Sequence, residues 1–305
     1  METGVSKDER QDRNSAVTQV SARFSELWRS IRHDGTRERP AEEQNDLIDQ
    51  LRNALDRKIS HFSAVKPVWI ADSFAVEGIA HESNTTLLLK LRHRDLGSLH
   101  ALKTVPPASA DDAALLQRLR EEAQIGLALR HPCLVETSAL LRLPDGRPGL
   151  LQPWLPLSLA SQTIARSITP QDAVVVLRRV LEGLNAMHMQ GYVHCDVTPA
   201  NILLQEDGVA TVRLGDFGIA LEIGQKHRQR GMAFAASAGF AAPEQMQGAA
   251  ANPNQDIFSV GRLALRLIAT TGAHATEKLS HFARACCHDD PASRPQSAMD
   301  ALQLL

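Results

Sequence analysis

Apolar residues recur along this chain at two periods, which divide it into segments of different character. After a polar, charged stretch at 1–14 that is expected to be disordered, Val17, Val20, Phe24, Leu27, Trp28 and Ile31 return every three or four positions. That spacing marks one face of an amphipathic helix. A stretch with Gly, Arg and Pro at 35–40 interrupts it, and Leu47, Ile48, Leu51, Leu55, Ile59 and Phe62 continue as a second helical stripe. Strand-like runs at 85–91 and 98–105 flank a polar hairpin at 92–97. Asp111 or Asp112 can then cap a helix running to about Arg130. Residues 140–143 and 149–152 read as a hairpin around Pro144-Asp145-Gly146-Arg147. Beyond it, 174–190 carries a helical apolar face, and 255–271 reads as a buried central helix.

Composition narrows the classes. The 305 residues suffice for one large domain and an appendage. A formal net charge of -2 provides no overall cationic field, so neither nucleic acid nor anionic lipid is an expected partner. The four cysteines are Cys133, Cys195, Cys286 and Cys287. None forms a C-x-x-C pair, and the adjacent pair suits no structural disulfide, so a reducing compartment is expected. The cytoplasm is the expected location, with export as an effector left open. The twelve histidines lack metal-ligand spacing. Apolar runs such as 263–271 are interrupted, there by Arg266, so no membrane span is expected, and the first residues lack a signal-peptide core.

The chemistry concentrates in two motifs. His194-Cys195-Asp196-Val197-Thr198-Pro199-Ala200-Asn201 precedes Asp216-Phe217-Gly218. A histidine, an acid and an asparagine at this spacing, followed by an acid before Phe-Gly, compose a metal–nucleotide phosphoryl-transfer site. Asp196 can orient a substrate hydroxyl and accept its proton, and Asn201 and Asp216 can each hold a magnesium ion that bridges nucleotide phosphates.

At these residues the chain resembles the eukaryotic-type protein kinase family, in the form of bacterial Ser/Thr kinases. The match continues with Ala101-Leu102-Lys103, with Arg120-Glu121-Glu122-Ala123-Gln124 on a helix, and with Leu129-Arg130-His131-Pro132. Downstream it takes in Ala242-Pro243-Glu244, Asp256 with Gly261, and Ser293-Arg294-Pro295. The resemblance covers about residues 68 to 305. It implies an α+β, two-lobed fold: a small β-rich lobe with one helix over 66–152 and a larger helical lobe over 153–305. A helical N-terminal extension precedes them over 1–65, read as a brace or as a hairpin for self-association or partner binding. The resemblance further implies ATP with Mg2+ or Mn2+, and a protein substrate. By it, Lys103 contacts phosphates and Glu122 holds its ammonium. Pro153 and Leu155 present a carbonyl and an amide to adenine at the hinge, with Gln152 as gatekeeper. Glu244 and Arg294 form an anchoring ion pair, Asp256 holds the catalytic-loop backbone, and His194 packs against Phe217.

Four departures from the family pattern stand out. The segment Glu77-Gly78-Ile79-Ala80-His81-Glu82-Ser83-Asn84-Thr85 carries only Gly78 where a glycine-rich phosphate loop is expected. Thr198 stands where a catalytic lysine is usual, as in some bacterial kinases, and is retained as a catalytic-site residue. Cys195 replaces an arginine that clamps activation-segment phosphate. The stretch 272–278 is too short for the usual substrate-docking helix. The expected function is an ATP-dependent serine/threonine protein kinase. A pseudokinase scaffold is the main alternative, and a small-molecule kinase of related fold a third.

Overall fold

The computed structural model describes residues 29–34, 37–40, 44, 69–161, 168–205, 208–232, 237, 239–271 and 277–305. It divides into two compact units, Met1–Lys66 and Pro67–Leu305. In the first, residues 29–32 are helical with Ile31 buried, and β1 (His33–Asp34) pairs antiparallel with β2 (Arg37–Glu38). The rest of the two N-terminal stripes and the polar stretch 1–14 lie outside the described residues.

The second unit opens with a six-stranded antiparallel sheet of β3 (Trp69–Ile70), β4 (Phe74–Glu82), β5 (Leu87–His93), β6 (Leu99–Thr104), β7 (Ala139–Arg142) and β8 (Pro148–Pro153). Their order is β3-β4-β5-β6-β8-β7. In β5 the buried Leu87, Leu89 and Leu91 alternate with less buried residues, as a strand with one core face requires. They pack with Ile70, Phe74, Leu102 and Leu151. The helix α1 (Ala113–Ala128) lies on the sheet through Leu119 and Ala123 against Leu150. Of the two acids before it, Asp112 is the cap: its Oδ1 accepts from Ala114 N at 3.0 Å and Leu115 N at 3.1 Å.

One segment differs from its sequence reading. Residues 77–82, read as loop, belong to the long strand β4, which pairs along β5 with register shifts between Val76 and Gly78 and between Ile79 and His81. Residues Glu77 to Glu82 are all exposed, so no buried–exposed alternation marks the strand.

The larger lobe is helical. The helices α2 (Pro170–Met189), α3 (Pro243–Met246), α4 (Pro253–Thr271), α5 (Glu277–Cys286) and α6 (Ala298–Leu304) follow one another around a core. To that core α2 gives Val176, Leu177, Val180, Leu181 and Leu184, and α4 gives Ile257, Val260, Leu263 and Leu267. A capping box between Thr169 and Asp172, with Pro170 in the first turn, starts α2. Of the short stretch 272–278, only Glu277 and Lys278 are described, and they open α5. No helix among the described residues is long and apolar enough to cross a membrane.

Short strands place the two motif loops. β10 (Tyr192–Val193) and β11 (Ile202–Leu204) bracket 194–201, whereas β12 (Arg213–Leu214) and β13 (Leu221–Glu222) bracket 215–220. β11 pairs with β12, and β10 with β13. The two loops therefore lie side by side. β9 (Leu157–Ser158) completes the sheet at β11.

Candidate active site

The loop around Asp196 is held from beneath by Asp256 of α4, which is fully buried. Its carboxylate accepts from the backbone N–H of His194 at 2.8 Å and of Cys195 at 2.9 Å, and His188 Nε2 lies 2.9 Å away. Three donors satisfy a charge that would otherwise be costly to bury. Cys195 sits at φ 68, a left-handed conformation unusual outside glycine, and Gln245 Nε2 donates to its carbonyl at 2.8 Å. His194 bonds Gly215 O through Nε2 at 3.0 Å, and its ring meets Phe217 edge-on at 5.8 Å. Burial first, and the Asp256 charge second, push the Cys195 thiol far up, so it stays neutral.

Asp196 sits in this braced turn, half-buried. Asn201 Nδ2 donates to its carbonyl at 2.9 Å and to Oδ2 at 2.8 Å, and the Ser237 N–H donates to Oδ1 at 3.2 Å. Because Nδ2 of Asn201 is engaged, its Oδ1 is the atom left to accept or to ligate. Thr198 is buried, and its carbonyl accepts from Asn201 N at 3.1 Å.

The second half of the site crosses from the sheet. Lys103 of β6 donates to Glu122 of α1 at 2.8 Å and to Asp216 Oδ1 at 2.7 Å. Burial works against the Lys103 charge, but the Asp216 and Glu122 carboxylates outweigh it and raise its pKa. Asp216 also loses hydration, yet Lys103 and the Gly218 N–H at 3.2 Å hold its carboxyl down to about 2. Glu122 is the most deeply buried of the three, and burial raises its pKa despite Lys103. Asp216 adopts φ 62, which turns its carboxylate toward the cleft. Gly218 allows this closeness, since a Cβ there would lie 3.1 Å from both Asp216 Oδ1 and Glu122 Oε2. Arg118, one turn before Glu122 on the same face, donates to Gly218 O at 3.0 Å. The sequence reading passed over Arg118, although its i, i+4 spacing to Glu122 was visible.

A cleft of about 290 Å³ is lined by Lys103, Glu122, Gln152, Asn201 and Asp216, with His81, Thr86 and Leu88 from the β4–β5 hairpin and Leu203 opposite. Gly78 is not in this lining. It stands mid-strand opposite Lys90, and a Cβ there would meet nothing. The hairpin tip closes on itself: Ser83 Oγ accepts from Thr85 N at 3.3 Å and Thr86 N at 3.1 Å, and Ser83 N donates to Thr86 O at 2.8 Å. Amides that a glycine-rich loop would offer to phosphate are consumed here by a serine hydroxyl.

At the hinge, Trp154 N–H donates to Leu99 O at 3.3 Å, and Trp154 O accepts from Gln205 Nε2 at 3.2 Å. In a trans peptide the C=O and the following N–H point in opposite directions, and there are no cis bonds in the described chain. The Pro153 carbonyl therefore points away from β6, and the Leu155 N–H away from the Gln205 side chain.

Asn201 Oδ1 and the free oxygen of Asp216 are hard oxygen donors suited to Mg2+ or Mn2+. Among the described residues no cluster of three or more His, Cys, Asp or Glu could cage an ion alone. A cation here would complete its shell with phosphate oxygens and water, the usual habit of Mg2+. The residues fit a metal–nucleotide pair better than a metal by itself.

The segment after Asp216 is tied down by backbone contacts. His227 Nε2 bonds Ile219 O at 3.1 Å, and Arg230 donates to Ala220 O at 3.0 Å while lying 3.5 Å from Glu121 of α1. Further on, Arg294 joins Glu244 in a two-pronged pair at 2.7 and 3.0 Å.

Residues 84–278, more than half of the chain, match the protein kinase domain family model. The chain is 34% identical over 175 residues to the serine/threonine-protein kinase PknL of Mycobacterium tuberculosis, covering 55% of this chain and 42% of that protein. It is 30% identical over 180 residues to PknJ of Mycobacterium bovis, covering 58% and 30%. With PknB of Mycolicibacterium smegmatis it shares 29% over 196 residues, covering 60% and 30%. The match thus spans less than half the length of each of these relatives. A lysine–glutamate pair across sheet and helix, an acid and asparagine joined on one loop, and an acid before Phe-Gly agree with that sequence match: the chain belongs to the protein kinase domain family.

Proposed function

We propose that this chain is an ATP-dependent serine/threonine protein kinase. The observation that carries the reading is the Lys103 ammonium, 2.8 Å from Glu122 and 2.7 Å from Asp216, at the wall of a cleft shared with Asn201. ATP, when bound, supplies the γ-phosphoryl group. Lys103 holds the phosphates, and Glu122 keeps its ammonium in place. Asn201 and Asp216 hold the cation. Asp196 orients the substrate hydroxyl and takes its proton, its carboxylate aimed by Asn201 and by the Ser237 N–H. Pro153 O and Leu155 N–H meet the adenine edge. Thr198 brings no charge to the moving phosphoryl group, so that electrostatic duty falls on Lys103 and the cation. Gly78 plays no part that its surroundings support, and the self-closed Ser83 turn argues for a weak grip on phosphate.

The proposed substrates are Ser or Thr residues of proteins in the cytoplasm, where the four free cysteines stay reduced. The apolar stripes at 17–31 and 47–62 are the proposed surface for a partner or a second copy of the chain. The test is label transfer from γ-labelled ATP with Mg2+, by the full chain, to itself or a generic protein acceptor. Lys103→Met, Asp196→Asn and Asp216→Asn should each abolish it. Equal incorporation by wild type and Asp216→Asn overturns the reading in favour of a scaffold.

A further inference from the structure

A second cleft lies apart from the one that holds Lys103. It measures about 630 Å³ and opens beside the catalytic loop, against Thr198, Ala200, Ser237 and Phe240, with Arg262, Leu265 and Arg266 of α4 as its floor. We propose that this cleft takes an acidic side chain of the substrate protein, within a few residues of the hydroxyl that is phosphorylated. The proposal rests on the kinase reading above and names the class of substrate.

Position is the first argument. Thr198 follows Asp196 by two residues, and the Ser237 N–H donates to Asp196 Oδ1. Both residues line the cleft, so a chain presenting its hydroxyl to Asp196 must pass its neighbouring residues over it. Charge is the second. Arg262 and Arg266 are spaced i, i+4, stand on one helix face and are both exposed. Arg262 Nε donates to Gly239 O at 2.8 Å, which holds that side chain along the wall. Among the described residues neither guanidinium has a carboxylate partner, and the cleft lining contains no acidic residue. The chain as a whole carries a formal net charge of -2, so this is a local cationic site in a slightly acidic protein. Two forked guanidinium groups match a carboxylate in geometry as well as sign. Phe240 and Leu265 add apolar wall for the stem of a glutamate or for the residue beside it.

The experiment separates binding from transfer. Fluorescent peptides with alanine at the acceptor position carry glutamate on both sides, or glutamine, or lysine, at the same places. Their anisotropy is read against the full chain at moderate salt. The glutamate peptide should bind at least about tenfold more tightly than the glutamine peptide, with the margin shrinking as salt rises. Arg266→Gln should remove the preference, and Arg266→Glu should turn it toward the lysine peptide. Arg266 is exposed and makes no side-chain hydrogen bond to backbone among the described residues, so both variants are expected to fold. Equal binding of the glutamate and glutamine peptides overturns the proposal, as does a glutamate preference that survives Arg266→Glu. Restoring serine at the acceptor then adds the second readout. Glutamate-selective binding without label transfer would sink the kinase reading and leave the acidic-segment site standing.

Discussion

The backbone N–H of Ser237 donates to Oδ1 of Asp196 at 3.2 Å. The segment after Asp216 therefore touches Asp196, the proposed catalytic acid, through its main chain, not through the one hydroxyl that residues 219–241 contain. Ser237→Ala keeps the donor and should leave kcat/KM within a few-fold of wild type. Ser237→Pro removes the N–H and should lower kcat/KM by about 100-fold, the usual cost of a misplaced catalytic group. Ser237→Asp should not activate, because Cys195 stands neutral and buried where a phosphate-clamping arginine would be needed. Steady-state kinetics of the three variants, with and without phosphatase treatment, check this. Strong activation by aspartate would disprove it.

Gly126 of helix α1, one turn after Glu122, packs on Thr137, which precedes β7. A Cβ there would fall 2.1 Å from Thr137 Oγ1 and 2.9 Å from Thr137 Cβ. Gly126→Ala must push α1 outward, which should cost about 1–3 kcal/mol and carry Glu122 away from Lys103. Thr137 Oγ1 is buried and has no hydrogen-bond partner among the described residues, so Thr137→Ala alone should be close to neutral in stability. In the double variant it should restore part of both melting temperature and activity. Additive losses would show that this contact does not set the helix position.

Arg294 is buried and makes five hydrogen bonds, two to Glu244 and one each to the carbonyls of His288, Asn254 and Asp289. Its guanidinium also lies 4.8 Å from the Phe258 ring. Arg294→Met leaves Glu244 and three carbonyls without their donor and should destabilise by about 3–5 kcal/mol in denaturant unfolding. Arg294→Lys keeps the charge but loses the fork, so it should recover only a fraction. A lysine variant as stable as wild type would show that charge alone matters here.

His227 gives the chain a pH dependence with a definite sign. Burial, then the charges of Arg230 and Arg118, lower its pKa from the ordinary 6.5, while the bond to Ile219 O works the other way. With the folded value depressed, the unfolded chain binds the proton more readily. Stability is then intact above pH 6.5 and falls as pH drops from 6.5 through the lowered folded value. Melting temperatures at pH 8 and pH 5.5 should differ more for wild type than for His227→Gln. Equal differences would remove His227 from the explanation.

Local features of this protein are legible along the chain because they depend on neighbours in sequence. Asp112 before an amphipathic run caps α1, and Thr169-Pro170 with Asp172 caps α2, since a cap needs only residues within one turn. Asp196, Asn201 and Asp216 could be picked out by motif spacing, and Lys103 and Glu122 through the family resemblance that those motifs carry. Their arrangement could not, for Lys103 and Asp216 are 113 positions apart and meet only because β6 and the loop between β12 and β13 face the same cleft. Strand β4 was hidden because all its residues from Glu77 to Glu82 are exposed, leaving pairing with β5 as the only force that defines it. The closed Ser83 turn was equally invisible, as was the lack of a carboxylate partner for Arg262 and Arg266 among the described residues. A hydrogen bond to a backbone amide and the absence of a counter-charge are properties of surroundings, and those surroundings exist only once distant segments have packed.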